Sequence, residues 1–403
     1  MQEENFIVRE PLLNTQERVL GYELSWHAGA SRKLGAADAN QLVRFVSQQI
    51  NQTGGVSLLG EHMLFLAVTP ALVRSGALAG LPGKGTVLAL RQDDLAEEGV
   101  IAELGPLRAK GYNLSLREAN LAVINKTLLP LFTYIETSVA AADFAMQMEA
   151  YHSLELMAPI RMIVRDVSNW GQYEQCAAQG LYAFVGKIHL TRRQGERSRE
   201  LNPAQAIILQ LMDMVRRGDD IRHLENILKR DAALSYKLLR YINSAGFSLG
   251  CEIQSLRHAV TLLGYSPLYR WLALLLTTST TTGYPPVLMQ AAVIRARFAE
   301  LLGHGLLPKS EAENLFVAGL FSLLDRLLGI PMEDVLEKIP LSDTVSQALL
   351  SREGIYGPFL ALAEACELGS ANVESMATSL CISAHQVNQA QVSALSWTQN
   401  LAL

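Results

Sequence analysis

The feature that most constrains this chain is a change of pattern near residue 195. Before it, short β-type runs alternate with helical runs; after it the periodicity is almost only helical. Strand–helix alternation calls for a parallel sheet or a (β/α) barrel, while helical periodicity alone calls for an all-α domain. A chain of 403 residues has room for two or three such bodies. The division expected is a strand–helix domain over 1–190, a linker over 191–202 and a helical domain over 203–403.

In the first half, Phe6–Leu13 and Val19–Leu24 flank a turn-rich Asn14-Thr15-Gln16-Glu17 and read as a hairpin. Residues 36–50 carry Leu42, Phe45, Val46 and Ile50 at helical spacing. Further strands are expected at 63–68, 86–90, 112–116, 134–137, 161–164 and 182–185. Helices are expected between them at 94–110, 140–155 and 169–179. Gly111 and Gly180 stand where a glycine just past a helix end would stop it. The span of about 190 residues is short beside the roughly 250 of an ordinary barrel, so missing or shortened helices are expected. In the second half, helices are expected at 203–216, 221–229, 232–243, 255–263, 268–276, 287–302 and 310–328, with more to 395. Asp231 and Ser255 are placed to cap two of them.

With 49% hydrophobic and 18% charged residues, the chain carries enough apolar material for packed cores and is not disordered. A net charge of −5 disfavours nucleic acid and anionic membranes as main partners. Cys176, Cys251, Cys366 and Cys381 lie far apart without metal-ligand spacing, which reads as buried free thiols. The start is acidic, and the most apolar run, Trp271–Leu276, is far shorter than the roughly 18–20 residues of a membrane span. A cytoplasmic location follows as an expectation. The arginines of the 191–200 segment, Arg192, Arg193, Arg197 and Arg199, alternate with glutamates and read as a solvated connector. No Walker phosphate loop, G-x-S-x-G elbow or H-E-x-x-H pair is present.

Gly21-Tyr22-Glu23-Leu24-Ser25-Trp26-His27, after an opening strand, resembles the start of an EAL domain, the cyclic di-GMP phosphodiesterase family. The second half resembles an HDOD domain. The residues that carry this are Asp231–Leu239, Ile242-Asn243-Ser244-Ala245-Gly246-Phe247, Ile253–Gly264 and Ala318–Gly329. The order of the two matches that of a two-domain bacterial signalling protein. Within the HDOD likeness, Asp231, Asn243, Ser244, Gly246, Phe247, Gly264 and Asp325 are the signature positions. Asn243 and Ser244 read as helix-ending groups, and Gly246 as permitting the turn that follows. Asp325, without a histidine before it, reads as an ion-paired residue.

EAL phosphodiesterases resemble one another in holding two divalent metals with oxygen ligands at strand ends. Only Glu23 keeps its place in such a set. The other positions fall on His27, Ala67, Ala89, Arg117, Glu118, Tyr134, Glu136, Arg165, Ser168 and Val185. Two alanines offer no ligand atom, and Arg117 opposes a cation unless it pairs with Glu23, Glu118 or Glu136. What the resemblance implies is a degenerate EAL-type barrel that is not an enzyme, binds no metal and has no cofactor. It would act through protein partners of unknown identity, in regulation linked to cyclic di-GMP, with self-association a further expectation. The rival readings are a residual cyclic di-GMP phosphodiesterase, a sensor that binds the dinucleotide without cleaving it, and a nucleic-acid binder acting through the linker arginines.

Overall fold

The computed structural model describes residues 5–27, 36–52, 58–156, 158–191, 193, 202–228, 231–243, 253, 255–278, 286–339 and 341–401. The chain divides into two compact units, Met1–Gln194 with Glu367–Ala371, and Gly195–Cys366 with Asn372–Leu403.

The first unit is built on a closed eight-stranded barrel. Its strands are β1 (Ile7–Leu13), β2 (Val19–Trp26), β3 (Met63–Ala67), β4 (Thr86–Arg91), β5 (Asn113–Arg117), β6 (Tyr134–Ser138), β7 (Arg161–Arg165) and β8 (Ala183–Val185). The opening hairpin makes β1 antiparallel to β2, with Glu10 facing Glu23, and β1 closes the barrel antiparallel to β8 through Leu12 and Val185. From β2 to β8 every neighbour is parallel. Buried on both faces, β4 reads as a near-continuous apolar run, as parallel strands do. Phe65, Val87, Tyr134, Ile163, Ala183 and Val185 point inward and fill the barrel, so the interior is a core and not a pore.

The helices around it are α1 (Ala36–Gln52), α2 (Pro70–Arg74), α3 (Val100–Ala109), α4 (Phe144–Glu155) and α5 (Trp170–Ala178). The expected shortening is seen. Only the five residues of α2 and a 3₁₀ turn follow β3, and only a 3₁₀ turn at Leu129–Leu131 lies between β5 and β6. The helix expected over 94–110 is broken: a 3₁₀ turn covers Asp93–Ala96, and α3 starts only after Gly99, whose φ of 83° helix cannot hold. Sequence periodicity did not reveal α2. Its signal is Thr69-Pro70, a hydroxyl cap accepting from Leu72 N, with proline at the first helical position.

The second unit is all-helical among the described residues. Its helices begin with α6 (Pro203–Arg217), α7 (Ile221–Leu228), α8 (Ala232–Ile242), α9 (Leu256–Leu263), α10 (Tyr265–Thr278), α11 (Pro286–Gly303), α12 (Lys309–Phe321) and α13 (Leu324–Leu328), and continue to Gln399. A reciprocal capping box between Asn202 and Gln205 starts α6. The single helix expected over 310–328 is two, because the chain turns at Ser322-Leu323. There Ser322 Oγ donates to Gly319 O at 2.7 Å and accepts from the buried Arg295. Helix α11 is buried along most of its length. At its closest approach to α12, Gly319 lies against Ala296, where a Cβ would come within 2.7 Å of backbone. Arg270 lies 3.8 Å over the Phe316 ring and donates twice to Glu300, at 2.6 and 2.8 Å. Burial lowers its pKa and Glu300 only partly offsets that. Among the described residues no single helix is long and apolar enough to cross a membrane.

Candidate functional site

The parallel strands β2 to β8 bring their C-terminal ends to one mouth of the barrel, where loops rather than packing decide what a site contains. Period-two alternation aims Glu23, Ala89, Ser115, Arg117, Glu136 and Arg165 inward above the apolar filling. Five of these close on one another. Arg117 Nε donates to Glu136 Oε2 at 2.8 Å, and Arg117 Nη1 donates to Glu23 Oε1 at 2.9 Å. Arg165 Nη1 donates to Glu23 Oε2 at 2.5 Å and to Glu136 Oε2 at 2.9 Å. Ser115 Oγ donates to Glu136 Oε1 at 2.6 Å.

Glu136 has no exposed surface and Glu23 is 4% exposed. Burial works to raise the Glu136 carboxyl, but Arg117, Arg165 and the Ser115 hydroxyl outweigh it and hold it below its ordinary value. Burial works against the charge on both arginines, and the two glutamates more than compensate, so both are pushed above the ordinary arginine value. Glu10, beside Glu23 on β1, is pushed up by burial, with Lys187 at 3.6 Å opposing. Three carboxylates (Glu10, Glu23, Glu136) thus meet three cations (Arg117, Arg165, Lys187). Arg117 Nη2 is buried and has no hydrogen-bond partner among the described residues. Arg117, Glu136 and Arg165 also line a cavity of about 300 Å³ together with Asn120, Asp143 and Gln147.

The other expected positions take no part in this network, although Ala67 and Ala89 pair in register near the ends of β3 and β4. Ala67 is exposed and Ala89 buried, and neither carries a donor atom. Tyr134 lies two residues deeper on β6 than Glu136. Its hydroxyl meets Met63 Sδ at 3.1 Å, and burial, helped by Tyr182, pushes its pKa up to about 12. Val185 belongs to the apolar filling. Ser168, on the loop before α5, is exposed and bonds Gln172 of that helix. His27 directly follows β2, with Nε2 buried and unpartnered among the described residues. Glu118 was one of three partners expected for Arg117, but it turns outward to Arg91 at 3.5 Å. The cause is backbone: Glu118 (φ 54°) and Asp166 (φ 59°), each just after a mouth arginine, take the left-handed conformation. Glu10, Ser115 and Lys187 were missed; the inward parity shared by Glu10 and Leu12 on β1 was the available signal.

In the helical unit, Asp231 Oδ1 accepts from Leu234 N at 2.9 Å and Ser255 Oγ from His258 N at 3.1 Å, both as caps. Asn243 exchanges two hydrogen bonds with the Ile253 backbone, at 2.8 and 2.7 Å, and so ties the end of α8 to the approach to α9. Gly264 separates α9 from α10 at φ 85°. Asp325 lies in the first turn of α13. Ser244, Gly246 and Phe247 lie outside the described residues, as do Arg192, Arg197 and Arg199. Arg193 is not a solvated connector residue: it bonds Glu17 at 2.8 Å and Glu174 at 2.6 Å and lies 4.8 Å over the Trp170 ring. Cys176 and Cys366 are buried, but Cys381 is exposed, contrary to the expectation of buried thiols.

The model of the HDOD domain family matches residues 201–332. The helical half carries an HDOD domain. With the HDOD domain placed there, two curated proteins are similar along nearly the whole chain. A Vibrio cholerae protein named cyclic di-GMP phosphodiesterase CdgJ is 26% identical, covering 98% of this chain and 93% of its own. The uncharacterised protein YuxH of Bacillus subtilis is 24% identical, covering 98% of each. Among solved structures, the EAL domain of Mycobacterium smegmatis DcpA is 14% identical over 45% of this chain and 90% of its own, with a TM-score of 0.37. The PaMucR phosphodiesterase in complex with c-di-GMP is 12% identical over 45% of this chain and 89% of its own, with a TM-score of 0.36. The expectation that the chain is not an enzyme is overturned by its likeness to CdgJ, a protein named as a phosphodiesterase.

The divalent metals of EAL phosphodiesterases do not fit the residues at this mouth. The oxygens of Glu23 and Glu136 are engaged by guanidinium and hydroxyl donors, and no group of three or more His, Cys, Asp or Glu placed to hold a metal ion occurs among the described residues. The orphaned donor beside them, Arg117 Nη2, calls for an anionic or carbonyl oxygen.

Proposed function

We propose that this chain works in cyclic di-GMP signalling and engages the dinucleotide at the mouth of its barrel. The observation that carries the reading is the pair Arg117 and Arg165, which line one cavity and leave Arg117 Nη2 without a partner among the described residues. Guanidinium forks match phosphate oxygens in geometry and charge, and such charge-assisted bonds are about twice as strong as neutral ones. A phosphodiester is the acceptor that the orphaned nitrogen lacks. Likeness to CdgJ along the whole chain supports cyclic di-GMP as the source of that phosphodiester.

A second reading, hydrolysis at the same mouth, is favoured by Glu10. It is the one mouth carboxylate of the three that no guanidinium bond holds among the described residues, and burial raises its pKa toward the range useful to a general base. Water oxygen would bond to phosphorus as its proton passes to Glu10. The bridging P–O bond would break, and the departing oxygen would take a proton to give the linear dinucleotide.

Calorimetry with cyclic di-GMP, followed by chromatography of the same samples, reads both. Saturable heat that is lost in Arg165→Gln supports engagement at the mouth, and absence of heat at high protein concentration refutes it. Linear dinucleotide that disappears in Glu10→Gln supports hydrolysis.

A further inference from the structure

We infer that the barrel mouth works without a divalent cation, because the guanidiniums of Arg117 and Arg165 occupy the carboxylate oxygens of Glu23 and Glu136 that a metal would need. For the ligand they meet, the inference rests on the reading that a phosphodiester enters the mouth; for the metal, it stands on the side chains alone.

All four carboxylate oxygens of Glu23 and Glu136 are occupied. Arg117 and Arg165 take one oxygen each of Glu23 and share Oε2 of Glu136, whose Oε1 accepts from Ser115. Mg²⁺ requires near-octahedral oxygens at about 2.0–2.1 Å. To enter, it would have to strip two guanidiniums from their carboxylates and leave both arginines charged and largely buried beside a new dication. Removing the counter-ion of a buried charge is strongly unfavourable.

The cavity is lined by three further carboxylates, Glu118, Asp143 and Asp166, but Asp143 accepts from Gln147 at 2.6 Å and Glu118 pairs with Arg91. Ala67 and Ala89 have no donor atoms, and Glu10 is the partner of Lys187. Glu118 and Asp166, nearest in sequence to the arginines, have left-handed backbone and exposed side chains, and lie at the rim of the cavity rather than among the oxygens of Glu23 and Glu136. The same strand ends that would deliver oxygen ligands therefore deliver guanidiniums. These carry their charge at every physiological pH and independently of metal supply.

The test uses the full chain, stripped with chelator and dialysed. Mn²⁺ titration, with free ion read by electron paramagnetic resonance, is expected to show no stoichiometric uptake. Calorimetry with cyclic di-GMP is expected to give the same Kd in chelator and in excess Mg²⁺, and Arg165→Gln to weaken it about tenfold or more. Stoichiometric Mn²⁺ uptake that vanishes in Glu23→Gln or Glu136→Gln, or dinucleotide binding seen only with Mg²⁺, overturns metal independence and leaves dinucleotide engagement standing. No heat in either buffer overturns the dinucleotide reading itself. The expected absence of uptake and the equal Kd in the two buffers are read on the unsubstituted chain, so a misfolded substitution does not blunt them.

Discussion

Arg117 and Glu136 face each other in register on adjacent parallel strands, β5 and β6, and Arg117 Nε donates to Glu136 Oε2 at 2.8 Å. The pair is built by strand alignment rather than by flexible loops, so it is rigid and buried. Arg165, one strand further on, and Glu23, across the barrel, complete the set.

Removing one partner of such a buried network is costly. Arg117→Ala leaves the unexposed Glu136 carboxylate with Arg165 and Ser115 alone, and should lower stability by about 3–5 kcal/mol. Urea denaturation followed by tryptophan fluorescence measures it. A loss within that of an ordinary surface substitution would show that the network contributes little to the fold.

The network also sets an acid limit. Glu136 has a folded pKa held below its unfolded value. Its contribution is therefore fully present above the unfolded carboxyl value and is lost as pH falls through the folded one. Barrel stability should decline on the acid side of about pH 4. The decline should flatten in Glu136→Gln, as unfolding midpoints measured across a pH series will show.

Backbone contact limits the rim in another way. A Cβ on Gly186 would lie 2.0 Å from Val167 O, next to the β8 strand end. Gly186→Ala should cost about 1–3 kcal/mol through the shift it forces. A shifted denaturation midpoint with an unchanged slope is the expected signature.

In the HDOD half, Asn243→Ala leaves both the N–H and the C=O of Ile253 without their side-chain partner. The expected cost is about 1–3 kcal/mol. Faster amide exchange at Ile253 is the local readout, and unchanged protection there would contradict the role given to Asn243.

Much of this architecture was legible in the sequence because period-two and period-3.6 patterns are local. All eight strands and most helices lie within a few residues of their expected places. The breaks at Gly99 and at Ser322-Leu323 were not legible, since apolar periodicity runs through both and only backbone conformation interrupts it. At the mouth, strand pattern located Glu23, Ala67, Ala89, Arg117 and Glu136. It did not show that Arg165 reaches Glu23, a contact between residues 142 apart that exists only once the barrel closes. The ion pairs of Arg193 are hidden for the same reason, because its partners Glu17 and Glu174 arrive from other parts of the chain. Lost ligands were read as lost activity, and likeness to CdgJ overturns that step: chemistry at a site does not follow from one ligand set alone.

The most direct measurement follows the arginines themselves. The Nε–Hε resonances of Arg117 and Arg165, assigned with Arg117→Lys and Arg165→Lys, can be observed in the deuterated full chain as cyclic di-GMP is added under chelation. Engagement at the mouth predicts that both resonances shift together and saturate with the calorimetric Kd. Resonances that stay fixed while the dinucleotide binds elsewhere, or that move only after Mg²⁺ is supplied, would contradict it.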